Sequence, residues 1–173
     1  MLKTLRQIAA VGIVTEPAPS PDRTLRLREA LQTRILAVLG RALCVRAVDA
    51  GSCNGCELEI HALNNPLYNI EGLGIRFVAS PRHADLLLVT GPVSRHMEIA
   101  LRRTYEATPD PKLVVAVGDC ACTGGIFAEG YATRGRISNV IPVDVIVPGC
   151  PPDPTRLLTG ILTALEARST LPG

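Results

Sequence analysis

Five short apolar runs, separated by helical patterns, constrain the fold of this chain more than any other feature. The runs are rich in Val, Ile and Leu and are bounded by Gly or Pro, as buried strands are. They cover residues 44–48, 75–78, 85–90, 113–117 and 143–147. Apolar residues at helical spacing predict helices over residues 57–64, 94–107 and 155–167. Strand–helix alternation of this kind predicts a parallel sheet covered by helices.

The segment before the first run has a different character. Residues 1–20 are predicted to form an irregular arm, because Pro17, Pro19 and Pro21 interrupt regular structure. An amphipathic helix is predicted from about residue 23 to 42. The fold class is therefore predicted as α/β, with a flavodoxin-like parallel sheet and an N-terminal amphipathic helix. We expect two parts, a docking element of residues 1–43 and an α/β domain of residues 44–173.

The docking role of residues 1–43 depends on their charge and on one apolar stripe. Residues 1–50 hold eight basic and four acidic side chains, a balance of +4, whereas residues 51–173 have a balance of −2. The apolar stripe consists of Leu27, Leu31, Ile35 and Leu39. Such a stripe must pack against another apolar surface, which covers it. The expected cover is a membrane partner or membrane surface, so this helix is predicted to lie outside the sheet core; the alternative is that it packs on the chain's own sheet.

Composition argues against several classes of protein. The net charge is +2, and aromatic residues make up 3% with no Trp, so a nucleic-acid partner is not expected. The longest uninterrupted aliphatic runs, such as residues 35–39, are far too short to span a bilayer, and no secretory signal is expected. The sequence Gly72-Leu73-Gly74 lacks the third glycine of a dinucleotide fingerprint, so no nucleotide site is predicted.

The six cysteines give the strongest indication of a functional site. Cys53 and Cys56 follow the first apolar run, Cys120 follows the fourth and Cys150 follows the fifth. The carboxyl ends of parallel strands lie on one edge of the sheet, which is where such folds place their sites. We therefore expect these four thiols to converge.

Four thiolates can hold either zinc or a 4Fe–4S cluster. A structural zinc usually takes two close Cys-x-x-Cys pairs, and this chain has only the Cys53–Cys56 pair at that spacing. The loops around Cys120 and Cys150 are rich in Gly and Pro, which leaves backbone N–H groups free to hydrogen-bond to inorganic sulfide. A zinc-stabilised scaffold and a dithiol oxidoreductase using Cys53 and Cys56 remain alternatives.

Several stretches resemble one family, namely SCNGCELE, SPRHADLLLVTGPVSRHM, LRRTYEATPDPKLVVAVGDCACTGG and IPVDVIVPGCPPDP. They are similar to the small, cluster-bearing subunit shared by respiratory complex I and the membrane-bound, energy-converting nickel–iron hydrogenases of the formate hydrogenlyase type. The resemblance covers about residues 44–165. It implies one 4Fe–4S cluster, which makes residues 44–173 an iron–sulfur domain. The implied ligands are Cys53, Cys56, Cys120 and Cys150, and Cys44 and Cys122 are interpreted as buried small hydrophobes.

Three details refine this resemblance. Complex I proper carries two adjacent cysteines at the first site, whereas Cys53 and Cys56 have the hydrogenase-type spacing. Asp153 stands where the family usually has Arg or Lys, so a lower cluster potential is expected. Glu59 matches a family acid and is a candidate for a proton route or for setting the field at the cluster.

The resemblance implies an electron-transfer subunit of a membrane-associated oxidoreductase complex, with no catalysis by the chain alone. Electrons would pass between ferredoxin-like clusters and a catalytic large subunit in a hydrogenase or hydrogenase-related complex. The implied partners are that large subunit, a ferredoxin-like iron–sulfur subunit and membrane-arm subunits, the last facing residues 1–43. The implied location is peripheral, on the cytoplasmic side of the inner cell membrane. Alternatives are a complex I subunit that delivers electrons to quinone and a zinc-stabilised scaffold without a redox role.

Overall fold

A computed structural model of the chain describes residues 2–11 and 21–168. One sheet of five parallel strands runs through these residues in the order β2-β1-β3-β4-β5. The strands are β1 (Leu43–Asp49), β2 (Ile75–Phe77), β3 (Leu86–Thr90), β4 (Leu113–Val117) and β5 (Val145–Val147). This order is that of flavodoxin-like sheets, whose direction of winding reverses between β1 and β3. The predicted α/β fold is confirmed.

Helices connect the strands and cover both faces of the sheet. They are α1 (Leu2–Val11), α2 (Pro21–Leu39), α3 (Gly55–Ala62), α4 (Arg95–Ala107), α5 (Asp119–Thr123) and α6 (Pro154–Arg168). The three helices predicted after the first apolar run agree with α3, α4 and α6 to within a few residues. Helix α5 was not predicted, because five residues are too few to show a helical period. None of the described helices is long and apolar enough to cross a membrane.

The central strands β3 and β4 bury alternate side chains in two separate cores. Leu86 and Leu88 of β3 pack in one core with α2, α3 and α6, whereas Leu87 and Val89 pack in the other with α4 and α5. All five residues of β3 and all five of β4 are buried. Coverage on both faces explains why these strands read as continuous apolar runs rather than as alternating ones.

Helix α2 corrects one expectation from the sequence. The amphipathic helix was predicted to dock outside the sheet core, but Leu31 and Ile35 are only 0% and 1% exposed and belong to the first core. Helix α2 packs against α6, and the two together cover that face of the sheet. The prediction was wrong because an apolar stripe shows only that a cover exists, and here the chain's own sheet supplies it. Leu25 and Leu36 of the same helix remain exposed.

The N-terminal segment also differs from the sequence-based expectation. Residues 1–20 were predicted to be irregular, yet Leu2–Val11 form helix α1. The first of the prolines is at position 17, so it cannot interrupt a helix that ends six residues earlier. Residues 12–20, which include Pro17 and Pro19, lie outside the described residues.

Candidate metal centre

The first cysteine loop is shaped by the last residue of β1. The Asp49 carboxylate accepts hydrogen bonds from two backbone N–H groups of the following turn, both at 2.7 Å. This local arrangement is a common way for Asp to fix a turn. It places Cys53 in the exposed loop and Cys56 in the first turn of α3, where the side chain is partly buried.

The second and third cysteine loops are tied to each other by Asp119. Its Oδ1 accepts a hydrogen bond from the backbone N–H of Gly149 at 2.8 Å, and its own N–H donates to the Gly149 carbonyl at 2.8 Å. These two bonds fix Cys120, which follows Asp119, relative to Cys150, which follows Gly149. Sequence reasoning did not single out Asp119, although an acid between a strand-ending glycine and a cysteine was visible.

The three loops bring Cys53, Cys56, Cys120 and Cys150 around one cavity of about 90 Å³. Residues 2–11 and 21–168 contain no three His, Cys, Asp or Glu side chains grouped so that they could hold a single metal ion. The four cysteines nonetheless line the same cavity. The convergence expected from the strand ends is therefore present.

Burial and mutual repulsion govern the chemistry of these thiols. Burial, together with the charges of Glu57 and of the other three cysteines, raises the pKa of Cys56 to about 12. Burial also raises the pKa of Cys120, with repulsion from Cys150 and Cys53 as the next causes. Four thiolates this close are compatible only with a compensating cation, and binding of such a cation displaces thiol protons.

Glycine backbone lies directly against two of the sulfurs. A Cβ added to Gly118, whose φ is 91°, would stand 2.6 Å from Cys56 Sγ. A Cβ added to Gly125, whose φ is 53°, would stand 2.9 Å from Cys120 Sγ. Both glycines adopt positive φ and leave their backbone close to the thiols. Four soft donors, close backbone groups and a partly buried cavity fit a 4Fe–4S cluster better than a single zinc ion, for which the described cysteines are not grouped.

The other two cysteines lie outside the cavity. Cys122, two residues after Cys120, directs its Sγ to the carbonyl of Ala116 at 3.6 Å and packs on the second core. Burial raises the pKa of Cys122 to about 11. Cys44 is 4% exposed, near the start of β1 and so at the opposite edge of the sheet.

Two acids near the centre, Glu57 and Glu59, have different surroundings. Both carboxylate oxygens of Glu57 are buried and have no hydrogen-bond partner among the described residues. The charge of Glu57 acts on Cys56 and that of Asp119 acts on Cys120, so both acids are electrostatically coupled to the centre. Glu59 lies on α3, partly buried, and does not line the cavity. Its role in a proton route remains a prediction.

Asp153 has a structural task that the sequence analysis missed. Its Oδ1 accepts a hydrogen bond from the backbone N–H of Arg156 at 2.7 Å, and its carbonyl accepts the first intrahelical bond from Leu157. Asp153 is thus the N-cap of α6, with Pro154 at the first helical position. The Cys-Pro-Pro-Asp-Pro order was the available signal for this cap.

Comparison with known proteins places this geometry in a family. Residues 53–164 match the family described as NADH ubiquinone oxidoreductase, 20 Kd subunit. A probable membrane-bound hydrogenase subunit, mbhJ, of Pyrococcus furiosus is 47% identical over 80% of this chain and 85% of its own length. Formate hydrogenlyase subunit 7 of Escherichia coli is 44% identical over 78% of this chain, which spans only 53% of that relative.

A solved structure shares both fold and sequence with this chain. It is that of the membrane-bound sulfane sulfur reductase, an archaeal respiratory membrane complex. The superposition has a TM-score of 0.65 at 34% identity and covers 79% of this chain and 74% of the other. The resemblance drawn from the cysteine motifs is confirmed. The chain belongs to the NADH ubiquinone oxidoreductase 20 Kd subunit family, whose members are subunits of oxidoreductase complexes.

Proposed function

We propose that the chain is an electron-transfer subunit that holds one 4Fe–4S cluster on Cys53, Cys56, Cys120 and Cys150. One observation carries the proposal: four thiols from three separate loops line a single cavity of about 90 Å³. A bound cluster would supply one-electron chemistry. Asp119 would hold two of the ligand loops in register, and Gly118 and Gly125 would leave backbone close to the sulfurs.

Metal analysis of the protein purified without oxygen tests this proposal. A 4Fe–4S protein is brown, absorbs broadly at about 400 nm and contains about four irons per chain. A zinc scaffold is colourless and contains about one zinc per chain. Zinc in place of iron and sulfide would refute the electron-transfer role.

Single substitutions test the ligand assignment. We expect Cys53→Ser, Cys56→Ser, Cys120→Ser and Cys150→Ser each to lose or cripple the electron paramagnetic resonance signal of the reduced protein. Cys122→Ala is the matched control, because this thiol lies two residues from Cys120 and faces the core. Loss of the signal in Cys122→Ala with retention in Cys120→Ala would show that the second loop is misassigned.

The spacing of Cys53 and Cys56 favours a hydrogenase-type complex over complex I. The names of the two relatives, a hydrogenase subunit and a formate hydrogenlyase subunit, support the same branch. The purified complex is then expected to evolve hydrogen from a reduced viologen dye. Quinone reduction without hydrogen evolution would favour complex I chemistry. Release of sulfide from a sulfane substrate would favour the chemistry named for the structural relative.

An exposed apolar patch supports the partner assignment. Ile126, Phe127 and Tyr131 are 91%, 52% and 95% exposed and follow α5, the helix that carries Cys120. Exposed apolar side chains grouped on one loop are typical of a protein interface. We assign this patch to the catalytic large subunit, since electrons must leave the centre over a short path.

A charge placed in this patch tests the assignment. Ile126→Asp is expected to abolish co-purification with the large subunit and to leave the metal content unchanged. Leu67→Asp, at a side chain that is 65% exposed on the loop after α3, is the control and is expected to leave the complex intact. Co-purification of the Ile126→Asp chain would exclude the patch as this interface.

We place the membrane-docking role in residues 1–20, since α2 contributes to the core. The exposed Lys3 and Arg6 of α1 suit the cytoplasmic membrane surface or a membrane-arm subunit. Deleting residues 1–20 should leave a folded, metal-loaded chain that no longer sediments with membranes. Loss of the metal after this deletion would show instead that the segment belongs to the iron–sulfur domain. The ferredoxin-like subunit completes the proposed set of partners.

A further inference from the structure

A second cavity, of about 420 Å³, lies at the opposite edge of the sheet from the cysteine centre. Its walls come from the amino ends of the strands and from the loops that precede them. Cys44 stands near the start of β1, and Asp85 directly precedes β3. Strand β1 is seven residues long, which separates the two edges by about 20 Å. The cavity is therefore independent of the cysteine centre.

Three guanidinium groups line this cavity, those of Arg41, Arg76 and Arg82. Arg41 forms a two-point salt bridge with Asp85, with Nη2–Oδ1 at 2.6 Å and Nη1–Oδ2 at 2.9 Å. Asp85 also accepts a hydrogen bond from the backbone N–H of Cys44 at 3.0 Å. The Asp85 carboxylate is thus fully engaged and holds one wall of the cavity in place.

The other two guanidinium groups have no carboxylate partner in the part of the chain that the structure describes. Arg76 Nη2 lies 3.6 Å from Cys44 Sγ, which is a weak acceptor. The Arg82 side chain forms no hydrogen bond or ion pair with any residue of 2–11 or 21–168. Asp110, the second acid of the cavity, pairs with Lys112 at 3.7 Å. The positive charges of Arg76 and Arg82 therefore face the cavity, and no carboxylate of the described residues pairs with them.

We propose that this cavity, the arginine cavity, binds a phosphate group. Two uncompensated positive charges match a dianion, and the planar guanidinium fork matches two phosphate oxygens at once. The volume exceeds that of a bare phosphate, so the cavity has room for an organic group attached to it. Free phosphate and the phosphate monoester of phosphatidic acid present the same chemistry to Arg76 and Arg82.

Calorimetric titration of the full-length chain with inorganic phosphate, at constant ionic strength set by chloride, tests the proposal. We expect saturable binding that Arg76→Gln and Arg82→Gln each weaken about tenfold or more, because each loses a charge-assisted hydrogen bond. Arg103→Gln removes an exposed guanidinium of α4 that does not line the cavity, and it should change the affinity by less than about twofold. Unchanged melting temperatures in the absence of phosphate will show that the variants fold.

Vesicles distinguish the two sources of phosphate. A lipid source predicts binding to phosphatidylcholine vesicles that contain phosphatidic acid, no binding to pure phosphatidylcholine, and loss of binding in Arg82→Gln. A soluble source predicts binding of free phosphate and no vesicle binding. The proposal fails if neither source binds saturably, or if Arg103→Gln weakens binding as much as Arg82→Gln does.

Discussion

The two edges of the sheet carry opposite chemistries on the same five strands. At the carboxyl edge, four thiols converge around a small cavity where glycine backbone replaces side chains. At the amino edge, guanidinium and carboxylate groups surround a cavity more than four times larger. The first edge concentrates thiols that repel each other once ionised, so their ionised form favours a cation. The second concentrates cations that its own carboxylates only partly neutralise, so it favours an anion.

The causes of the pKa shifts differ in the same way. At the carboxyl edge, burial is the main reason that the pKa of Cys56 is raised to about 12. At the amino edge, the hydrogen bond to Asp85 is the main reason that the pKa of Arg41 is raised, and burial opposes the shift. Desolvation therefore dominates one site and direct pairing the other, which means that the two edges should respond differently to substitution.

Gly118→Ala, at the carboxyl edge, should have the largest effect on metal content and on the free energy of unfolding. The new Cβ would stand 2.6 Å from Cys56 Sγ at a backbone φ of 91°, so we expect loss of bound iron and a cost of about 3 kcal/mol from strain and overpacking. Gly130→Ala is the control, because a Cβ there meets nothing within 4 Å. Iron content and melting temperature measure both. Wild-type values in Gly118→Ala would refute the close approach.

Asp85→Ala should destabilise the fold without removing iron. It leaves the Cys44 N–H without its acceptor and breaks the pair with Arg41, at an expected cost of about 2–3 kcal/mol in the free energy of unfolding. Asp110→Ala breaks a 3.7 Å pair at a carboxylate that is 82% exposed and should cost less than about 0.5 kcal/mol. Urea unfolding compares them. Iron loss in Asp85→Ala would show that the two edges are coupled.

Two substitutions of Asp153 separate its structural from its electrostatic effect on the centre. Asp153→Ala removes the cap of α6 and should cost about 1 kcal/mol, whereas Asp153→Asn retains a side chain that caps equally well. Both remove a negative charge three residues from Cys150, so both should raise the midpoint potential of the centre. Redox titration followed by electron paramagnetic resonance measures the shift. An unchanged potential in both variants would mean that the Asp153 charge does not act on the centre.

Glu98→Gln should have the smallest effect on the free energy of unfolding. It weakens the attachment of the loop beside the carboxyl edge. Glu98 bonds to Arg134 at 2.7 Å, and this bond lowers the pKa of Glu98 below its ordinary value. A lowered pKa gives stability that is present above the ordinary pKa of Glu and is lost as the pH falls through the folded value. The destabilisation should therefore be smaller than that of Asp153→Ala. It should diminish as the pH falls below the ordinary pKa of Glu and vanish only below the lowered pKa of Glu98.

Urea unfolding at several pH values tests this dependence. Glu106→Gln, at an exposed carboxylate of the same helix, is the control and should lower the free energy of unfolding less than Glu98→Gln does at neutral pH. Equal behaviour of the two variants would mean that the Glu98–Arg134 pair does not hold the loop.

The sequence by itself determined the strands, their parallel arrangement and the convergence of four cysteines. Strand-length apolar runs can only be buried in a covered sheet, and the carboxyl ends of parallel strands share an edge. Positions 53, 56, 120 and 150 were therefore brought together by topology alone, before any side-chain detail was known. The same reasoning could not separate Cys120 from Cys122 by geometry, and the family resemblance made that distinction.

Only the tertiary structure decided which neighbours each side chain meets. The apolar stripe on α2 has the same sequence pattern whether a partner or the chain's own sheet covers it. The packing of α2 against α6 shows that Leu31 and Ile35 are core residues. The bonds from Asp119 to Gly149 and the pairing of Asp85 with Arg41 join residues 30 and 44 positions apart. Contacts of this kind leave no local pattern in a sequence, because they depend on how distant segments are brought together by the packed core.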